Sequence, residues 1–376
     1  MSKLNCAIFI SDVGFGHMVR QRQIIRELFK IYKNISITIF HERNLKELKK
    51  TFGNKISYIK NFNNISLAKK KDGSLDIKKQ KKICKNWEKK ILITLNKNSN
   101  ILKKFDFFIS DLVPEISYYA FKNQKPCFSI CHYTWDWFFR KIYKKNTKSI
   151  KLMKQFNNLS TQIYFPPLTP KKILKDTRKY KKVNFITDVN YKKKKFNKKK
   201  LKILIMDNGT EVLASKISKI LPFLVNYEKY KFFISMKNVK KNLKMKIQKS
   251  KNIKLINSNL KHTYNFIKKT DIVVARAGYN TITECIILKR PTIFAHEKNN
   301  PEVSENIKNI KKIKLFTTIL DNEWTVEKFF QKLENFILAL KTKDDYFNNV
   351  NKQKNLNNGA KNIVRDMKLV LNKIQK

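Results

Sequence analysis

A histidine that opens a helix straight after a glycine-rich turn is placed to move a proton. His17 has that setting in Ser11-Asp12-Val13-Gly14-Phe15-Gly16-His17-Met18-Val19-Arg20, which follows an apolar run and leads into a helical stripe. Gly14 and Gly16 let the backbone turn tightly, and the N–H groups of a helix start favour an anion. His17 can act as a general base there, or it can bind a phosphate. A strand-to-helix turn with no ligand is the plain alternative. A dinucleotide fingerprint would want a further glycine near position 19, where Val19 stands, so a nicotinamide or flavin does not fit.

A second constellation is Asp271-Ile-Val-Val-Ala-Arg276-Ala-Gly278-Tyr-Asn280-Thr281-Ile-Thr-Glu284-Cys285. A strand ending in Arg276, a small Gly278 and a helix starting at Asn280 and Thr281 suit a diphosphate. Glu284, one turn on and on the same face, could accept hydrogen bonds from two vicinal hydroxyls such as those of a ribose. Asn280-Thr281 could equally be an N-cap with a capping glutamate.

These residues need a scaffold that brings strand ends together. Short apolar runs alternate with longer helical patterns, which predicts βαβ units and parallel sheets. In the first half the expected strands are 4–10, 35–40, 55–59, 105–110 and 127–131. In the second half they are 201–206, 231–235, 253–256, 272–274, 292–294 and 315–317. The fold class is therefore α/β, with two Rossmann-like domains. Residues 1–168 form the first and 201–342 the second, joined by a basic connection over 169–200. A tail at 343–376 carries the stripe Ala360, Ile363, Val364, Met367 and Leu371, which needs a surface to pack on.

Composition bounds the partners. The 376 residues hold 83 Lys+Arg against 28 Asp+Glu, a formal net charge of +55. Only nine of those bases are Arg, the side chain whose planar fork reads phosphates and base edges, so specific nucleic-acid recognition is not expected. Drift toward Lys, Asn and Ile on solvated faces is one account of the charge, and an anionic partner is the other. A hydrophobic content of 42% is enough for packed cores. No apolar run approaches the roughly 20 residues of a spanning helix. Five cysteines without metal-type spacing fit a reducing cytoplasm.

G-x-G-H-x-x-R after the first strand, with R-x-G-x-N-T-x-x-E in the second half, resembles the nucleotide-sugar glycosyltransferases of the GT-B fold, of the family 28 and family 1 type. The stretch Phe108-Ile-Ser-Asp111-Leu-Val-Pro114, followed by His132-Tyr-Thr-Trp135-Asp136-Trp137, is similar to an uncharacterised bacterial subgroup of that fold. The resemblance covers residues 1 to about 320. It implies two domains facing a cleft, with the acceptor on the first, the donor on the second, and the tail packed back on the first. By resemblance, diphosphate contacts fall on Gly278, Asn280 and Thr281, and on the turn Asn208-Gly209-Thr210. The ribose carboxylate falls on Glu284. Arg276 would help stabilise the leaving group. Asp111 would orient His17, although it could also cap the helix at Pro114.

His132, Trp135 and Asp136 are candidates to bind an acceptor sugar, whereas neighbouring aromatics could simply be core. Glu302 and Asn306 match positions that contact the donor sugar in relatives, but Val303 stands where relatives have glutamine. Relatives that retain configuration carry a glutamate where this chain has Arg276, so inversion is expected. Glu297 and Glu305 repeat that spacing but fall after the next strand. No Asp-x-Asp occurs, and neither a metal nor another cofactor is expected.

The function expected is transfer of a hexose from a nucleoside-diphosphate sugar, a UDP-sugar by resemblance. The acceptor is an unknown glycan, lipid or small molecule, and the setting is cytoplasmic with peripheral contact to anionic membrane. A sugar-nucleotide hydrolase or epimerase of the same fold is the near alternative, and a charge-driven nucleic-acid-binding protein is the distant one.

Overall fold

A computed structural model describes residues 3–13, 15–42, 45–60, 62, 65–187, 189, 200–207, 212–235, 241–256, 260–297, 299–311, 313, 316–341 and 356–374. The chain divides into two compact units, Met1–Ala68 with Asp76–Asp188 and Asn355–Lys376 in one, and Lys69–Leu75 with Val189–Lys354 in the other.

The first unit runs β1 (Leu4–Ile10), α1 (Phe15–Ile31), β2 (Ile35–Phe40), α2 (Leu45–Phe52), β3 (Ser57–Ile59), α3 (Ile77–Leu102), β4 (Phe107–Asp111) and α4 (Pro114–Lys122). It continues with β5 (Cys127–Ile130), α5 (Trp135–Tyr143), α6 (Lys148–Asn158), β6 (Gln162–Phe165), α7 (Lys171–Asp176) and β7 (Tyr180–Lys182). Its seven strands lie in the order β3-β2-β1-β4-β5-β6-β7, all parallel. Helices cover both faces of such a sheet, which is why β1 and β4 read as continuous apolar runs and are buried along most of their length.

The second unit holds β8 (Lys202–Met206), α8 (Ala214–Leu224), β9 (Lys231–Ser235), α9 (Lys241–Lys249), β10 (Ile253–Leu255), α10 (Leu260–Lys269) and β11 (Ile272–Arg276). After these come α11 (Tyr279–Ile287), β12 (Thr292–Ala295), α12 (Pro301–Ile310), β13 (Phe316–Ile319) and α13 (Val326–Lys341). Six parallel strands follow the order β10-β9-β8-β11-β12-β13. The apolar stripe of α13 buries Phe329, Leu333 and Ile337 in that unit's core.

In each sheet the strand order reverses between two central strands, β1 and β4 in the first and β8 and β11 in the second. Open α/β sheets bind ligands at the carboxyl ends of the strands at such a reversal. The α/β class with two Rossmann-like parallel sheets is thus the observed one.

The domain boundaries differ from expectation in one respect. Residues 171–176 and 180–182 are α7 and the edge strand β7, so much of the expected connection is part of the first sheet's unit. Consecutive exposed lysines on a three-residue edge strand look like a linker in sequence, because no apolar run marks them. The lysine runs at 192–195 and 198–199 lie outside the described residues.

The last helix, α14 (Gly359–Ile374), belongs to the first unit and packs on α1, burying Ile363, Val364 and Met367 completely. Burial of each such side chain contributes roughly 1.5–3 kcal/mol. Asp366 ties the helix down, accepting from Tyr164 Oη at 2.8 Å and pairing with Lys181. A glycine is required at its start, since a Cβ on Gly359 would lie 2.1 Å from the Asn184 carbonyl oxygen.

Candidate active site

The first unit concentrates its buried polar groups at the reversal point. Asp111 ends β4, is fully buried, and faces Ile10 at the end of β1. His17, Arg20 and Gln21 lie three and four residues apart on α1, a spacing that puts all three on one helical face. All reach the same carboxylate. His17 Nδ1 is 2.7 Å from Asp111 Oδ1, Arg20 Nε is 3.1 Å from Oδ2, and Gln21 Nε2 donates to Oδ2 at 2.9 Å. Arg20 Nη2 also donates to Oδ1.

Burial by itself would raise the Asp111 pKa. The Arg20 guanidinium, His17 and their hydrogen bonds outweigh it and hold the carboxyl well below the usual carboxylate range. Asp111 is therefore an ionised hydrogen-bond acceptor, and it fixes the ring of His17 with Nδ1 toward the carboxylate. His132, two residues past β5, joins the group through Arg20 Nη1 at 3.2 Å from its Nδ1. The His17 and His132 rings are 6.4 Å apart. This arrangement can take a proton from a hydroxyl: a carboxylate-oriented imidazole is the base of many hydrolases and transferases.

Backbone strain sits beside it. Leu112, directly after Asp111, has φ 61°, a left-handed conformation costing on the order of 1–3 kcal/mol for a branched residue. Trp135 Nε1 donates to the Leu112 carbonyl at 2.9 Å and holds it there.

That bond corrects one expectation. Trp135 is fully buried and packs against Tyr133, Phe138 and Phe139, so it belongs to the core and offers no face to a sugar. Asp136 is corrected likewise: Arg140 Nη2 binds it at 2.7 Å, and Arg140 extends to Asp176 at 3.2 Å, a half-buried pairing that fastens α5 to α7. Of the three acceptor candidates, only His132 meets His17 and Asp111. Gly16 is the second residue of α1 and half-buried, and Gly14 lies outside the described residues.

In the second unit, Gly278 is the N-cap of α11 and gives no side-chain oxygen to the first-turn N–H groups, an arrangement that favours an anion. Its φ of −75° is open to any residue, so glycine is not required by the backbone. Asn280 and Glu284 stand one turn apart on α11, both half-buried, and Thr281 is buried beside Asn280. Asn208, Gly209 and Thr210 lie outside the described residues.

Arg276 needs a correction. Its Nε donates to Glu297 at 2.5 Å, and Asn300 Nδ2 holds the other oxygen of Glu297 at 3.0 Å. Burial works against the arginine's charge, but Glu297, with Glu302 and Asp207 nearby, raises its pKa. A cation already paired with Glu297 is a weaker attractor for a diphosphate than a free one. Asn306 is also placed differently from expectation. It is buried, and its Nδ2 donates to the Ala277 carbonyl at 3.1 Å, so it shapes the turn before α11. Glu302 is half-buried in the first turn of α12, and Val303 is core.

Sequence reasoning passed over Arg20 and Gln21 as site residues, although their spacing from His17 was a signal. It also discounted Glu297. Among the described residues no cluster of His, Cys, Asp and Glu could hold a metal ion, and no helix is long and apolar enough to cross a membrane.

The two parallel sheets define a class, the GT-B fold. A calicheamicin glycosyltransferase, CalG4, superposes with a TM-score of 0.69 at 8% identity, covering 100% of both chains. MurG of Acinetobacter baumannii gives 0.60 at 13% identity, over 97% of this chain and 98% of that one. The spinosyn rhamnosyltransferase SpnG gives 0.62 at 10% identity, over 97% and 100%. Residues 208–367 match the glycosyltransferase family 28 C-terminal domain, and the chain as a whole has the GT-B fold of these structures. No curated protein matches it in sequence.

Proposed function

We propose that the protein transfers a hexose from a UDP-sugar to a hydroxyl-bearing acceptor, with inversion and without a metal. The observation that carries the reading is the buried His17–Asp111 pair at the strand-order reversal of the first unit. His17 Nε2 takes the proton of the acceptor hydroxyl as its oxygen bonds to the anomeric carbon. The bond from that carbon to the diphosphate breaks, and the diphosphate leaves with the electron pair. Attack opposite the leaving group inverts the carbon in one step, and no carboxylate at position 276 is present to assist retention.

Asp111 keeps the imidazole oriented and stabilises the imidazolium that forms. On the donor side, the first turn of α11 would receive the diphosphate, and Glu284 the ribose hydroxyls. With Arg276 engaged by Glu297, N–H groups and the helix dipole supply most of the leaving-group stabilisation.

The match to the family 28 C-terminal domain supports a nucleotide-sugar donor. Uridine and hexose are our own reading, as are a cytoplasmic setting and peripheral contact with anionic membrane, for which the +55 charge is the support. A thermal-shift screen against nucleotides and nucleotide sugars tests the donor. Uridine diphosphate and its sugars should raise Tm in the wild type and leave Glu284→Ala unmoved. Stabilisation by none of them would overturn the reading.

A further inference from the structure

We propose that Arg20 is a positioning residue that fixes His132 in the tautomer opposite to the one Asp111 imposes on His17, so that Nε2 is a hydrogen-bond donor on His132 and an acceptor on His17. The catalytic consequence rests on the transferase reading above, whereas the tautomers themselves do not.

A guanidinium only donates, and an ionised carboxylate only accepts. Arg20 Nη1 lies 3.2 Å from His132 Nδ1, so that nitrogen accepts and the ring hydrogen is on Nε2. Asp111 Oδ1 lies 2.7 Å from His17 Nδ1, so there the hydrogen is on Nδ1 and Nε2 keeps its lone pair. Arg20 Nη2 is also 2.9 Å from His17 Nδ1. Its hydrogen goes to Asp111 Oδ1, because a charged oxygen is the stronger acceptor and Nδ1 cannot donate and accept in one plane.

Both rings turn Nδ1 toward the guanidinium and therefore turn Nε2 away from it. Their centroids are 6.4 Å apart and their planes tilt by 32°, so the two imidazoles are near neighbours. A hydroxyl that reached both Nε2 atoms would give its hydrogen to His17 and accept the N–H of His132. Its oxygen would be held while its proton is removed. Arg20 is 2% exposed, and its fork links α1, the end of β4 and the residue after Cys131, so it sets the tautomer of His132 while Asp111 sets that of His17.

The test is ring-nitrogen NMR of the full chain labelled with 15N-histidine. There are five histidines, and single replacements by glutamine assign His17 and His132. The wild type should show hydrogen on Nδ1 of His17 and on Nε2 of His132. In Arg20→Met, His132 should become a mixture of tautomers while Asp111 keeps His17 unchanged. Arg20→Gln, which retains an N–H donor, should restore the His132 tautomer.

Turnover of a UDP-sugar should fall about 100-fold in Arg20→Met with the Kd for uridine diphosphate unmoved, the effect of misplacing a catalytic group. Hydrogen on His132 Nδ1 in the wild type would overturn the proposal, as would an Arg20→Met spectrum identical to it. If Arg20→Met does not fold, the wild-type and Arg20→Gln spectra decide. Both tautomers as stated, with no nucleotide sugar turned over, would uphold the assignment and overturn the transferase reading instead.

Discussion

Replacing Glu115 with glutamine should make the protein progressively more stable than the wild type as pH rises from 4 to 8. Glu115 lies in the first turn of α4, is 2% exposed, and accepts from Trp87 Nε1 at 3.1 Å. Burial pushes its carboxyl from 4.5 to about 7, which its hydrogen bonds only partly oppose. The folded state thus holds the proton more tightly than the unfolded chain. Below pH 4.5 both states are protonated and the full stability is present. Between 4.5 and 7 the unfolded chain ionises and the folded protein does not, so stability falls by about 1.4 kcal/mol per pH unit. Above 7 both are ionised and the loss levels off.

The shift from 4.5 to about 7 makes the total loss about 3 kcal/mol, of which about 2.5 falls between pH 5 and pH 8. Glutamine mimics the protonated acid and keeps an oxygen for Trp87, so Glu115→Gln lacks this slope. Urea unfolding of both proteins at half-unit steps of pH isolates it, because every other titration cancels in the difference. A difference that stays flat from pH 5 to pH 8 would refute the argument and mean that Glu115 ionises in the fold as it does in water.

Two further changes probe the frame around the sites. Gly359→Ala drives a Cβ to 2.1 Å from the Asn184 carbonyl and 2.8 Å from that of Phe185, which are backbone atoms that cannot step aside cheaply. A loss of about 1–3 kcal/mol is expected, read as a lower Tm and faster proteolysis of the C-terminal helix. Trp135→Phe removes the N–H that holds strained Leu112 and should cost about 1–2 kcal/mol. Because Trp135 is buried core, the acceptor KM should stay within about twofold while kcat falls with the misplacement of Asp111. A rise in KM alone would restore Trp135 as a sugar-stacking residue.

The fold class was legible because parallel strands covered on both faces leave short apolar runs between helical stripes, as at β1, β4, β8 and β11. Edge strand β7 was not, since Tyr180-Lys181-Lys182 carries no such mark. The seven glycines show how far composition can guide a reading. Gly53 and Gly73 have φ of 56° and 80°, and Gly359 allows a close backbone approach, so these three serve the fold.

Asp111 ends its strand and His17 lies in the first turn of the helix that follows β1, local signals that mark both. The links through Arg20 were hidden, because only the β3-β2-β1-β4-β5 order brings together residues separated by 91 and 112 positions. Trp135 and Asp136 misled for another reason: an aromatic run with one carboxylate has the same composition whether it stacks on a sugar or packs a helix. Arg276 reads in sequence as a phosphate ligand, and its partner Glu297, 21 residues on and two past the neighbouring strand β12, leaves no local mark there.

The central claim is that His17, oriented by Asp111, deprotonates the acceptor of a sugar-transfer reaction. Release of uridine diphosphate from a UDP-sugar that the wild type consumes, compared between wild type and His17→Ala, tests it most directly. The account predicts a rate at least about 100-fold lower in the variant, with the Kd for uridine diphosphate unchanged. Equal rates in the two proteins would contradict it.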